Sequence, residues 1–122
     1  MVANEYLSSL KQTLGVDLYQ APNKNVIPES AEELELMFAA GFKAIGAEHE
    51  RVNTTKHPGM HITQTIDYII LIKGTATLIL DKEETDLVPG DVVVQRGTNH
   101  AWSATGSEPA LFIAVLIDSK FK

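Results

Sequence analysis

The spacing of apolar and polar positions changes character near residue 56. Before it, two stretches carry apolar residues at the three-to-four spacing of an amphipathic helix. In the first, Tyr6, Leu7, Leu10 and Leu14 recur on one side, and Gly15 is placed to stop the helix. In the second, Ser30-Ala31-Glu32-Glu33 reads as a capping box, and Leu34, Met37 and Phe38 share a face. Gly41 then stands where a C-terminal cap belongs. A strand over 34–38 is the competing reading of that segment. Pro22 and Pro28 bracket the loop between the two helices. From Phe42 the period shortens, and 42–51 is expected as a strand that leads into a loop over 52–59.

Beyond residue 57 the chain reads as short strands punctuated by turn residues. Segments 66–72 and 75–80 are rich in β-branched residues, and Lys73-Gly74 between them signals a tight hairpin. Segment 85–88 runs into Pro89-Gly90, which suits the central positions of a type II turn. Strands over 91–95, 99–103 and 110–117 follow. Closely spaced strands with Gly and Pro turns predict an antiparallel sandwich or barrel, preceded by a helical extension over 1–56. Alternation divides 61–72 into two faces. One carries His61, Thr63, Thr65, Asp67, Ile69 and Leu71; the other carries Ile62, Gln64, Ile66, Tyr68, Ile70 and Ile72. The second face is mostly apolar and needs a cover, from the N-terminal helices or a second subunit, so a homodimer is expected.

Composition narrows the function classes. With 122 residues, 44% hydrophobic and 21% charged, the chain has the size of one ordinary domain and can build one core. Its 16 acidic against 10 basic residues leave a net charge of −6, with no basic cluster to suit a nucleic acid or an anionic membrane. The absence of cysteine excludes disulfides, thiol catalysis, zinc ribbons and iron–sulfur clusters. The longest apolar run, 110–117, is too short to span a bilayer. The first residues lack a basic start and an apolar run, so a cytoplasmic location is expected. The acceptor triplet Asn53-Thr54-Thr55 then carries no meaning for glycosylation. A glycine-rich phosphate loop and a serine nucleophile elbow are both missing.

The chemistry rests on few residues. There are 4 histidines: His49, His57, His61 and His100. His61 and Asp67 share a strand face, and His100 lies on a later strand. Converging inside a barrel, the three would make a two-histidine, one-carboxylate site suited to Fe(II), and also to Mn or Ni. The bland alternatives are hydrogen-bonded core histidines and a paired carboxylate, because an isolated buried carboxylate must find a partner or stay protonated. A Thr hydroxyl or Arg96 could serve Asp67 in that way. Thr63 and Thr65 are either strand formers or pocket contacts. Trp102 shares the parity of His100 and either walls the pocket or fills the core. His57, before Pro58-Gly59, belongs to a loop at the barrel mouth. Pro58-Gly59 also forbids reading His57 and His61 as a helical zinc pair. His49 is expected to be exposed.

These motifs resemble those of the cupins, small double-stranded β-helix (jelly-roll) barrels. His61-Ile62-Thr63 stands where the family has His-x-His, Asp67 where it has Glu, and Gly74 follows after six intervening residues. Pro89-Gly90-Asp91 with Gln95-Arg96-Gly97-Thr98-Asn99-His100 resembles the second motif, whose core is Pro-x-Gly-x-x-His. The likeness covers about 57–117 within a single domain. Thr63 replaces a histidine, Asp67 a glutamate and Gln95 a proline, and the segment from Gly90 to His100 is one residue shorter than usual. The resemblance implies a site at His61, Asp67 and His100, with Gln95 as a further metal donor, and with Thr63, Thr65, Trp102 and His57 around the substrate. A divalent metal (Fe, Mn, Ni or Zn) and a metal-free barrel are both open.

Three functions compete. The first is a small enzyme acting on an organic acid, polyketide or sugar-like metabolite, by metal-assisted or His/Asp acid–base chemistry. Within the family this includes dioxygenases, isomerases, cyclases and dehydratases. The second is a non-catalytic sensor or carrier using the same pocket. The third, a purely structural protein, leaves the inward polar row unexplained.

Overall fold

The computed structural model describes residues 16–21 and 30–120. The chain runs through β1 (Val16–Ala21), α1 (Ala31–Ala44), a 3-10 turn (Glu48–Glu50), β2 (Thr65–Lys73), β3 (Ala76–Leu80), β4 (Glu84–Leu87), β5 (Val92–Arg96), β6 (His100–Ala104) and β7 (Ala110–Asp118). All strand pairs are antiparallel, and they form a four-stranded sheet β1-β7-β2-β5 and a three-stranded sheet β4-β3-β6. The two sheets enclose a jelly-roll barrel. Among the described residues no helix is long and apolar enough to cross a membrane.

The inward parity of β2 follows the alternation of its sequence: Asp67, Ile69 and Leu71 are buried while Tyr68 and Ile72 are exposed. Ile69 and Leu71 join Ala76, Leu78, Leu87, Ala104, Ala110, Phe112 and Ala114 in the core between the sheets. Ala76, Ala104, Ala110 and Ala114 share this core with Phe112, and small side chains around a large one suit close packing. Met60, Ile79 and Ala101 form a second cluster.

Several expectations need correction. Lys73-Gly74 is not a hairpin turn, because β2 and β3 lie in different sheets and the turn carries the chain across the barrel edge. Gly74 has φ +78°, and a Cβ there would meet the Pro109 carbonyl oxygen at 2.6 Å, so this crossing needs glycine. The strand expected over 42–51 is absent. Helix α1 runs through Gly41 to Ala44 and ends in a Schellman arrangement, with Gly46 at φ +72°. Ala47 N–H donates to the Phe42 carbonyl at 2.9 Å, and Gly46 N–H to the Lys43 carbonyl at 3.1 Å. The helical reading of the capping box holds, since Ser30 Oγ accepts from Glu33 N–H at 3.1 Å. β1 adds a strand to the extension that was expected to be helical, while the helix expected over 6–14 lies outside the described residues. The Pro89-Gly90 turn is as expected: Asp91 N–H donates to the Val88 carbonyl at 3.1 Å and Gly90 has φ +97°.

Candidate functional site

Regular strand β2 begins at Thr65, and the preceding residues reach the barrel through one isolated bridge. His61 N–H donates to the His100 carbonyl at 3.0 Å, and His100 N–H returns to the His61 carbonyl at 3.1 Å. A hydrogen-bonded antiparallel pair sends both side chains to the same face. The two imidazoles therefore stand side by side, with ring centroids 4.3 Å apart.

Each ring is held by a backbone carbonyl two residues before it. His61 Nδ1 lies 2.9 Å from the Gly59 oxygen, and His100 Nδ1 lies 2.8 Å from the Thr98 oxygen. A carbonyl only accepts, so Nδ1 carries the proton and Nε2 is the acceptor in the neutral ring. His100 is buried at 2% exposure. Burial holds its pKa down to about 4, the neighbouring His61 pushes the same way, and the Thr98 carbonyl opposes both. Trp102 meets the His100 ring edge-on at 5.9 Å and leans on Phe112 at 5.2 Å.

Asp67 enters the same space from β2, buried at 3% exposure. Its Oδ2 accepts a long bond of 3.4 Å from the Thr63 hydroxyl, which in turn accepts from the Thr65 hydroxyl at 2.8 Å. Its Oδ1 has no hydrogen-bond partner. Such an orphan inside a barrel is costly unless something outside the chain completes it.

These groups face a cavity of about 550 Å³, within the range that holds a small organic ligand. His61, Thr63, Asp67, His100 and Trp102 line it; Thr65, Gln95 and His57 do not. Gln95 pairs with Asp67 in the β2–β5 register and is buried on the same face without lining the cavity. His57 is half-buried, accepts from Gly59 N–H at 3.0 Å and packs edge-on against Phe38 at 5.5 Å. Burial lowers its pKa, with Glu84 opposing. His49 is exposed.

Helix α1 supplies wall residues that sequence reasoning did not assign to the site: Met37, Phe38, Gly41 and Phe42, followed by Ile45. Their helical spacing was visible, but only the closed fold shows that this stripe faces the cavity. Phe42 leans on the His61 ring at 5.0 Å. Arg51 ties the helix down, donating to Glu35 Oε1 at 2.7 Å and to the Pro58 carbonyl at 2.9 Å, with its guanidinium 5.8 Å from the Phe42 ring.

Among the described residues, no group of three or more His, Cys, Asp or Glu side chains is placed to hold a metal ion. The donors that meet are two imidazoles, while Asp67 is engaged with Thr63 rather than drawn into a ligand set with them. The residues present therefore do not fit a three-ligand centre; the two imidazoles and the carboxyl can transfer protons and form hydrogen bonds.

The Cupin_2 family model, described as a cupin domain, matches residues 47–116. A cupin-domain-containing oxidoreductase of Neurospora crassa, srdD, is 35% identical over 98% of this chain and 62% of its own length. Two further cupin-domain-containing oxidoreductases match shorter stretches. These are fogC of Aspergillus ruber, 36% identical over 48% of this chain and 31% of its own, and virC of Hypocrea virens, 40% identical over 50% and 34%. The chain thus spans less than two thirds of the length of each of these relatives.

Proposed function

The chain belongs to the cupin family, and on that premise we propose that its barrel cavity is the active site of a small enzyme that moves a proton on an organic metabolite. The observation that carries this reading is an apolar cavity lined by two paired imidazoles and by Asp67, whose Oδ1 is buried without a partner. The similarity to fungal cupin-domain oxidoreductases supports a role in small-molecule metabolism.

In the proposed step Asp67 accepts a hydrogen bond from the substrate and orients it. His100, neutral at pH 7, takes a proton at Nε2 from a carbon next to a carbonyl. The electron pair of the broken C–H bond moves onto the carbonyl oxygen. The imidazolium exchanges its proton with solvent and returns one to the enolate, so atoms and charge balance with no outside oxidant. His61, in ring contact, makes the charged intermediate costly and hastens return of the proton.

Deuterium wash-in at the α-carbon of mono- and bicyclic hydroxyaryl ketones in D₂O, followed by NMR, tests this. Exchange above the buffer rate that is lost in His100→Ala and altered in its pH profile in His61→Ala is the expected result. Ligand-raised melting temperatures with no exchange across the ketones would instead favour a passive binding barrel.

The outer face of the four-stranded sheet supports a second element of the reading. Tyr68, Val92, Val94 and Ile117 are exposed there, on neighbouring strands. We read this face as the contact with a second copy of the chain. Sedimentation equilibrium is expected to show a dimer that Tyr68→Glu shifts to monomer; a monomeric parent would refute the reading.

A further inference from the structure

We propose that the cavity selects uncharged or cationic ligands that present a hydrogen-bond donor on a largely apolar ring system, and rejects carboxylates and phosphates. This rests on the cavity of the proposed function and names its substrate class. Of the organic acids, polyketides and sugar-like molecules that the sequence admits, it removes the acids and disfavours the sugars.

The first observation is the balance of donors and acceptors. The Thr63 hydroxyl is directed to Asp67 Oδ2, and the Nδ1 nitrogens of His61 and His100 are directed to backbone carbonyls. These donors are spent inside the protein, and what remain are acceptors: Nε2 of both rings and, on the lining residue Asp67, a buried Oδ1 without a partner. A ligand group that only accepts leaves them unsatisfied; a hydroxyl or N–H completes one.

The second is charge. No Lys or Arg lines the cavity, whereas Asp67 and Glu50 both do. An incoming anion would leave water for a site with no counter-charge and two acidic residues, so desolvation and repulsion act together against it. A cation meets the opposite sign on both counts.

The third is the wall. Phe38, Phe42, Trp102 and Phe112 present rings to the cavity, joined by Met37 and Leu116. A ligand hydroxylated all round, such as a sugar, would bury most of its hydroxyls against these carbons, whereas a ring system with one or two donors loses little.

Four matched probes separate these properties: 4-cyclohexylphenol, its methyl ether, 4-cyclohexylbenzylamine and 4-cyclohexylbenzoate. Each is titrated calorimetrically at pH 7.5 into the wild-type protein, Asp67→Asn and Asp67→Leu, with folding of the variants checked by melting. The phenol and the amine are expected to bind at least about tenfold tighter than the ether and the benzoate. That preference should shrink in Asp67→Asn and vanish in Asp67→Leu. Benzoate binding as tight as the phenol overturns the proposal, as does a preference that survives Asp67→Leu, or the absence of binding by all four. Donor-selective binding without ketone exchange would retire the catalytic reading and leave the ligand class standing. Exchange accompanied by benzoate preference would do the reverse.

Discussion

His61 and His100 are bound to each other twice over, by reciprocal backbone hydrogen bonds of 3.0 and 3.1 Å and by imidazole rings 4.3 Å apart. The backbone pair puts both side chains on one face, and the Gly59 and Thr98 carbonyls hold the rings there. A proton on His100 would sit in a buried site against the His61 ring, so His100 stays neutral near neutral pH.

That pairing sets the acid sensitivity of the fold. The His100 pKa lies at about 4 in the folded chain, below the ordinary value of 6.5. Between these values the unfolded chain binds the proton and the folded chain does not, so stability falls as pH drops from 6.5 towards 4. The slope from this proton approaches about 1.4 kcal/mol per pH unit within the window. The lowered pKa of His57 acts in the same direction. Melting temperature measured from pH 7.5 to 4.5 should fall less steeply in His100→Gln than in the wild-type protein.

Asp67 sets function against stability. Its carboxyl is buried with one oxygen unpartnered, an arrangement that weakens the fold. Asp67→Asn removes the carboxylate, keeps the volume and retains an oxygen for the Thr63 hydroxyl. It should raise stability by about 1 kcal/mol in urea denaturation, while abolishing the proposed proton transfer. A destabilised variant would mean that Asp67 is satisfied within the fold.

Metal content provides an independent check of the paired-imidazole chemistry. Protein purified without a histidine tag or chelator should carry Fe, Mn, Ni and Zn well below one equivalent by mass spectrometry, with no change in His100→Ala. Near-stoichiometric metal that disappears in the variant would place an ion on these rings and replace the proton-transfer proposal.

Two glycines should respond differently to a methyl group. Gly74→Ala meets a backbone carbonyl at 2.6 Å at a positive φ, so strain and clash act together, and a loss of about 3 kcal/mol or more is expected. Gly90→Ala, at φ +97° with open space around it, should lose only about 1–2 kcal/mol. Chemical denaturation of both variants orders them.

The alternation of β2 and the turn at Pro89-Gly90 were legible because each depends on local geometry alone. Lys73-Gly74 was misread for the complementary reason: a glycine at a positive φ serves a hairpin and a crossing between sheets equally well. Which of the two it is depends on the distant Pro109 backbone. Gly41 looked like a helix stop, yet nothing lies within 4 Å of where its Cβ would be, and the cap falls to Gly46 instead. Strand β1 was missed because Val16–Ala21 is short and is completed only by its pairing with β7. The inward placement of His61, Asp67 and His100 around one cavity was legible from motif order and parity, while parity left Trp102 open between wall and core. The aromatic wall contributed by α1 depends on where the helix docks, which spacing along the chain does not record.

Helix α1 contains no fully buried residue, although it forms part of the cavity wall. A wall fastened at few points opens at a small fraction of the cost of unfolding the barrel. Passage of a ligand in and out is thereby separated from global stability. Amides of α1 should exchange with solvent orders of magnitude faster than those of β2 and β7, and a bound ligand should slow the helix while leaving the strands unchanged.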